Sequence, residues 1–177
     1  MLGFGQTYTL TVESSVPAAA PGTVYRFYVN SNDPADKLSA VFGNDQDTLS
    51  FSTPDGIFNS VMNSSWNASG LNIALFGFFP DLQDDSYATI GLDGPATTVL
   101  GAEDPSLVQD AGLMPTVSGY FQAGGEGLEV NTLTGASWYV LNTAANALPD
   151  TDGRWLIAQI TTTGSICLLY TSPSPRD

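Results

Sequence analysis

The chain has 177 residues, 42% of them hydrophobic and 12% charged. That is enough for one domain with a substantial core and excludes a chain disordered by composition. Its 18 acids and 4 bases give a net charge of −14 and there is no His. Such a surface repels nucleic acid and anionic lipid, and the commonest general base and metal ligand is missing. No run reaches the ~18 apolar residues of a membrane helix. The opening MLGFGQTYTL has no basic or long apolar region of a signal peptide, so the chain is either cytoplasmic or a fragment lacking its true N-terminus. Asp outnumbers Glu 14 to 4. Asp favours turns and Glu favours helices, so the skew points to a loop-rich β protein.

The elements follow in chain order. Thr7–Glu13 alternates, with Tyr8, Leu10 and Val12 on one face, and predicts a half-buried strand. After a Pro/Ala loop, Thr23–Asn30 is a second strand with Tyr25, Phe27 and Val29 inward and Arg26 outward. Leu38–Gly43 and Thr48–Thr53 are short strands placed as a hairpin around Asn44–Asp47. Residues 55–70 are a polar excursion. Leu71–Phe79, the most apolar run, is interrupted by Gly77 and stopped by Pro80, and is expected to be buried extended or turn structure. Tyr87–Leu92 is a strand. Residues 97–119 are loop-like, with one helical turn after Asp104-Pro105. Gly119–Gln122 and Leu128–Thr132 are short strands. Ser137–Leu141 and Arg154–Thr162 are two more, joined by turn chemistry at Pro149, Asp150, Asp152 and Gly153. In the last strand Leu156, Ala158 and Ile160 take one face and Trp155, Ile157 and Gln159 the other, so it is expected to be central and covered on both sides.

About nine short strands with recurrent Gly/Pro/Asn/Asp punctuation predict a single all-β sandwich over residues 1–166, immunoglobulin-like or cohesin-like in general style, with long irregular loops. The expected core includes Leu10, Phe27, Val29, Ile90, Val140, Leu156 and Ile160.

The sequence has no nucleophile elbow, phosphate loop, zinc-protease helix or paired Cys motif. Without His, neither a Ser-His-Asp triad nor a His-ligated zinc can be built. A two-carboxylate glycosidase is the one enzyme chemistry the composition permits, and with this many Asp a chance pair carries no information. Calcium takes six to eight oxygen ligands. The candidate metal ligands are Asp150 and Asp152 with Asn146 in Asn146–Gly153, and a weaker loop is Asn44–Asp47; both also read as ordinary turns. Trp66, in a polar Asn/Ser loop, either plugs the core or contacts a ligand such as a glycan. Asn63-Ser64-Ser65 and Asn67-Ala68-Ser69 fit the N-glycosylation pattern, which is a weak signal in such a loop.

Thr23–Gly43, Asp85–Gly94 and Gly135–Gly164 resemble, in order, blocks of an uncharacterised module of large secreted or surface proteins of environmental, often marine, bacteria. The resemblance implies export and a multi-part parent protein; it carries no catalytic residue. Members of that group continue after the Thr-Thr-Thr-Gly-Ser segment into another strand. Here Cys167–Asp177 (CLLYTSPSPRD) matches, residue for residue, one reading frame of a transposase-based sequencing-library adapter, and is read as a non-native tail. In it, Leu168–Tyr170 is expected to borrow an open strand position, Pro173 and Pro175 to end the pairing, and Arg176 and Asp177 to be exposed.

Together these readings give a non-catalytic structural or adhesive module, secreted or on the cell surface and stabilised by calcium if it binds a metal at all. Its expected partners are other modules of its parent protein, with no nucleic acid and no membrane insertion. The alternative is a carbohydrate-binding or two-carboxylate carbohydrate-processing domain.

Overall fold

The computed structural model describes residues 8–170. Among them, ten strands form three antiparallel sheets with a single α-helix, so the chain is all-β and sandwich-like, with one strand more than expected. The first sheet has the order β1 (Thr9–Ser15), β2 (Thr23–Asn30), β9 (Arg154–Thr162), β5 (Tyr87–Ala88). The second has β10 (Cys167–Tyr170), β4 (Leu49–Ser52), β7 (Gly127–Val130), and the third β3 (Ala40–Gly43), β8 (Ala136–Tyr139), β6 (Ser106–Gln109).

β9 is central, as its two apolar faces require. Every residue from Trp155 to Thr162 is buried. A bulge opposite Phe27/Tyr28 changes the expected facing: Ala158 lies opposite Phe27, while Leu156 lies opposite Tyr28. Ile157, Ala158 and Ile160 therefore enter the main core, and Leu156 joins a second cluster with Tyr28, Ala68, Leu71, Leu82 and Tyr87. One extra residue in a ladder reverses the alternation beyond it, which no period-2 reading can see.

The main core is shared by all three sheets. Phe27 meets Phe51 edge-on at 5.6 Å between ring centroids, and Phe51 stacks on Tyr120 at 6.1 Å. The buried indoles are both hydrogen-bonded, Trp138 to the Thr89 carbonyl at 3.0 Å and Trp155 to the Ala147 carbonyl at 2.8 Å, as buried Trp N–H groups must be.

Several expectations are corrected. Gly119–Gln122 is not a strand but part of helix α1 (Val117–Ala123), capped by the Thr116 hydroxyl and closed by Gly124 in the left-handed region. Val117, Tyr120 and Phe121 share its buried face at helical spacing. The segment after Asp104-Pro105 is not a helical turn; it is β6, an edge strand on β8. The turn at Asn44–Asp47 forms, but β3 and β4 do not pair as a hairpin: β3 joins β8, and β4 joins β7 and β10. Leu71–Phe79 is mostly exposed rather than buried, with Phe78 at 80% of its full exposure. Only Leu71, Leu75 and Phe76 of this run touch the second cluster. β1 is exposed at every residue because it lies at the sheet edge with no layer over it, so Leu10 is outside the core. Val29 is half-buried against the core, and Phe27, Ile90, Val140, Leu156 and Ile160 are buried as expected. Cys167–Tyr170 does take a strand position, on β4. Thr7 and residues 171–177, with the expectations on Pro173, Pro175, Arg176 and Asp177, lie outside the described residues.

The start of β8 depends on a glycine. Gly135 has φ +65°, and a Cβ there would sit 2.0 Å from the Gly43 carbonyl oxygen, beside the Gly43–Ala136 pairing of β3 with β8. Gly135→Ala is expected to cost more than ~1 kcal/mol, from both strain and clash. Gly77→Ala, with open space around its Cβ, should stay within ~0.5 kcal/mol of wild type. Urea titration of both variants checks this; equal midpoints for Gly135→Ala and wild type would contradict it.

Candidate functional site

The acids of Asn146–Gly153 converge on a cation supplied by the chain itself. Arg154 Nη1 pairs with Glu13, Nε lies 3.4 Å from Asp150 Oδ2, and Nη2 lies 3.8 Å from Asp152 Oδ2. The guanidinium also sits over the Tyr28 ring, 4.2 Å from its centroid, a cation–π contact. Asp150 Oδ1 accepts from the backbone N–H groups of Asp152 and Arg154, so it shapes the turn into β9. Asn146 is not with them. Its amide donates to the Ile90 and Glu103 carbonyls and its oxygen accepts from Glu103 N–H, pinning two loops from a buried position. Asn44 Oδ1 likewise accepts from Gln46 and Asp47 N–H, a turn contact. Among the described residues no group of three or more His, Cys, Asp or Glu is placed to hold a metal ion.

Trp66 is half-buried and packs against the main core, and its carbonyl accepts from Ala88 N–H. Both sequon asparagines are buried, with their amide nitrogens committed: Asn63 Nδ2 donates to Asp85 Oδ2 at 2.6 Å, and Asn67 Nδ2 to the Pro105 carbonyl at 3.1 Å. Neither nitrogen is open to modification in the folded chain.

Two adjacent acids, absent from the sequence-based candidates, hold two loops in place: Asp84 the loop before β2, and Asp85 the 55–70 excursion. Asp84 accepts three successive backbone N–H bonds, from Ala18, Ala19 and Ala20, at 2.7, 2.7 and 2.8 Å. Asp85 points to other partners, taking Ser60 N–H at 2.7 Å as well as the Asn63 amide. It is fully buried. Burial pushes the Asp85 carboxyl up to about 6, against hydrogen bonds that pull it down. The Tyr120 phenol is pushed up to about 12 by burial, against its hydrogen bond to Thr53. An acidic doublet directly before an apolar strand is the only signal of this anchor in the sequence.

A groove of about 440 Å³ opens where the layers part. Its floor is Leu10 of β1, Val29 of β2, and Trp155 and Ile157 of β9; Leu38, Ala40 and Val41 form the opposite wall, and Tyr8 and Lys37 complete it. Lys37 Nζ donates to the Asn142 carbonyl at 2.6 Å. The groove was not legible because alternation shows which side chains share a face, not whether that face is covered.

No family model, no curated protein and no solved structure matches the chain. No helix among the described residues is long and apolar enough to cross a membrane.

The Asp85 site makes a prediction with a definite sign. Its folded value, about 6, lies above the model-compound 3.8, so between those values the folded state binds more protons than the unfolded state. Stability therefore rises as pH falls through that window, by up to about 3 kcal/mol. The chain has no His, the side chain that ordinarily changes charge in this range. Melting temperature should climb between about pH 6.5 and pH 4.5, and Asp85→Asn should flatten the climb. A wild-type profile that is flat or falling on acidification would contradict the assignment.

Proposed function

We propose that the chain is a non-catalytic structural or adhesive module of a secreted or cell-surface bacterial protein, working by contact with other modules of the same parent. The observation that carries this reading is where apolar side chains are left on the surface. Tyr8, just before edge strand β1, and Leu10 and Val12 on it form an exposed row, at 50, 38 and 49% exposure. Ile73, Phe78 and Phe79, in the apolar run that follows the excursion, form a second exposed set. Exposed apolar surface of this kind marks contact surfaces.

The acids support the same reading. Asp84 and Asp85 organise backbone, and Asp150 and Asp152 answer Arg154. The resemblance to modules of exported bacterial proteins supports the location. The carbohydrate reading gains little from Trp66, whose ring packs on the core.

A panel of soluble polysaccharides separates the two readings, assayed by affinity electrophoresis and by release of reducing ends. The expected result is unretarded migration and no sugar released. Turnover of any polysaccharide, abolished by substituting one Asp, would overturn the proposal.

A further inference from the structure

The groove is an interlayer gap with a strand missing from one side. Among the described residues β3 pairs only with β8 and is the edge of its sheet, so half of its backbone N–H and C=O groups face outward. Ala40 and Val41 of β3 line the groove, opposite Leu10 and Val29. Among the described residues no strand beyond β3 covers this part of β1, and the Leu10 and Val12 side chains are exposed, as is that of Tyr8 just before them. That row spans about 14 Å, five residues of extended chain, a better match to a strand than to a compact ligand.

We propose that this groove is a strand-acceptor site: an extended peptide segment, apolar at alternate positions and flanked by Lys or Arg, adds to the free edge of β3 and covers the apolar row of β1. The proposal deepens the contact-module reading and rests on it. Strand addition joins main-chain hydrogen bonds to pockets for alternate side chains, and both are present: the open β3 edge, and the apolar floor of Leu10, Val29, Trp155 and Ile157.

Charge selects the occupant. The chain carries −14 overall, so a second copy is repelled and a basic segment attracted. Asp36 and Asp33 act on Tyr8 at one end of the row. Arg154 is already surrounded by Glu13, Asp150 and Asp152, and Lys37 is tied to the Asn142 carbonyl. A Lys or Arg flank on the incoming strand meets the Asp33/Asp36 end.

The test uses the full chain and three synthetic octapeptides: Lys-Val-Thr-Val-Thr-Val-Thr-Lys, the same peptide with Glu at both ends, and a scramble with the valines in one block. Calorimetry measures affinity, and amide chemical shifts locate the contact. The basic alternating peptide should bind at least about tenfold more tightly than either control at low salt. Shifts should concentrate on Ala40–Gly43 and the groove. Leu10→Asp should weaken binding at least about tenfold with an unchanged melting curve, because Leu10 is exposed and outside the core. N-methylation of alternate peptide nitrogens should abolish binding, since it removes ladder donors.

Equal affinity for the scramble, shifts away from β3, or no binding would overturn the proposal. So would a dimer in sedimentation that the peptide does not dissolve, which would make the occupant a second copy. None of these results releases sugar, so failure here is distinct from failure of the contact-module reading.

Discussion

A strand buried on both faces must be covered twice, and β9 sets that condition for the whole molecule. It is hydrogen-bonded along both edges, to β2 and β5, and segment 87–91 continues along it through Thr89 and Gly91 N–H to the Ile157 and Leu156 carbonyls. One face meets the main core. The other carries Leu156 but also Gln159 and Thr161, which are buried and polar. Buried polar groups must be hydrogen-bonded, at a cost of ~1–3 kcal/mol each if they are not. Gln159 Nε2 donates to the Gln83 and Asp85 carbonyls at 2.9 Å each, and its oxygen accepts from Arg26 Nε at 2.8 Å. The Thr161 backbone is paired, its N–H donating to Ser86 Oγ and its carbonyl accepting from Phe58 N–H, while its Oγ1 is buried without a hydrogen-bond partner among the described residues. Phe58 and the segment 83–86 lie over β9, where these groups take their partners.

The same requirement explains the Asp-rich composition. Asp84 gathers the loop at Ala18–Ala20, and Asp85 gathers the segment at Ser60–Asn63. Asp33, Asp110 and Asp150 each accept a backbone N–H two residues on, at Ala35, Gly112 and Asp152, the contact that makes Asp a turn former. Much of the negative charge is thus a by-product of building loops on a small sheet framework. Its outward consequence is a strongly negative chain, −14 overall.

Much of the framework was legible in the sequence. Thr23–Asn30 and Arg154–Thr162 were read with the bounds the structure gives, because dense β-branched and aromatic runs between turn residues have few other solutions. What escaped were features set by neighbours rather than by periodicity. The β9 bulge, the separation of β3 from β4, and the open face of β1 all depend on which strand lies alongside. Helix α1 was missed although Thr116 and Gly124 mark both of its ends, since Gly119 sits inside it. For the candidate site, Asp150 and Asp152 were legible as an acid pair, but Arg154 as their partner was not, and Asn146 turned out to pin loops elsewhere. Leu71–Phe79 was misplaced because hydrophobicity alone does not say that a segment is covered.

The central claim is that β9 is the most firmly held element and β1 the least covered. Native-state hydrogen exchange of backbone amides tests it residue by residue. The account predicts that amides of Trp155–Thr162 exchange only through global unfolding, while outward amides of Thr9–Ser15 exchange through local opening with far smaller protection. Equal protection of β1 and β9, or exchange of β9 by local opening while the second sheet stays protected, would contradict it.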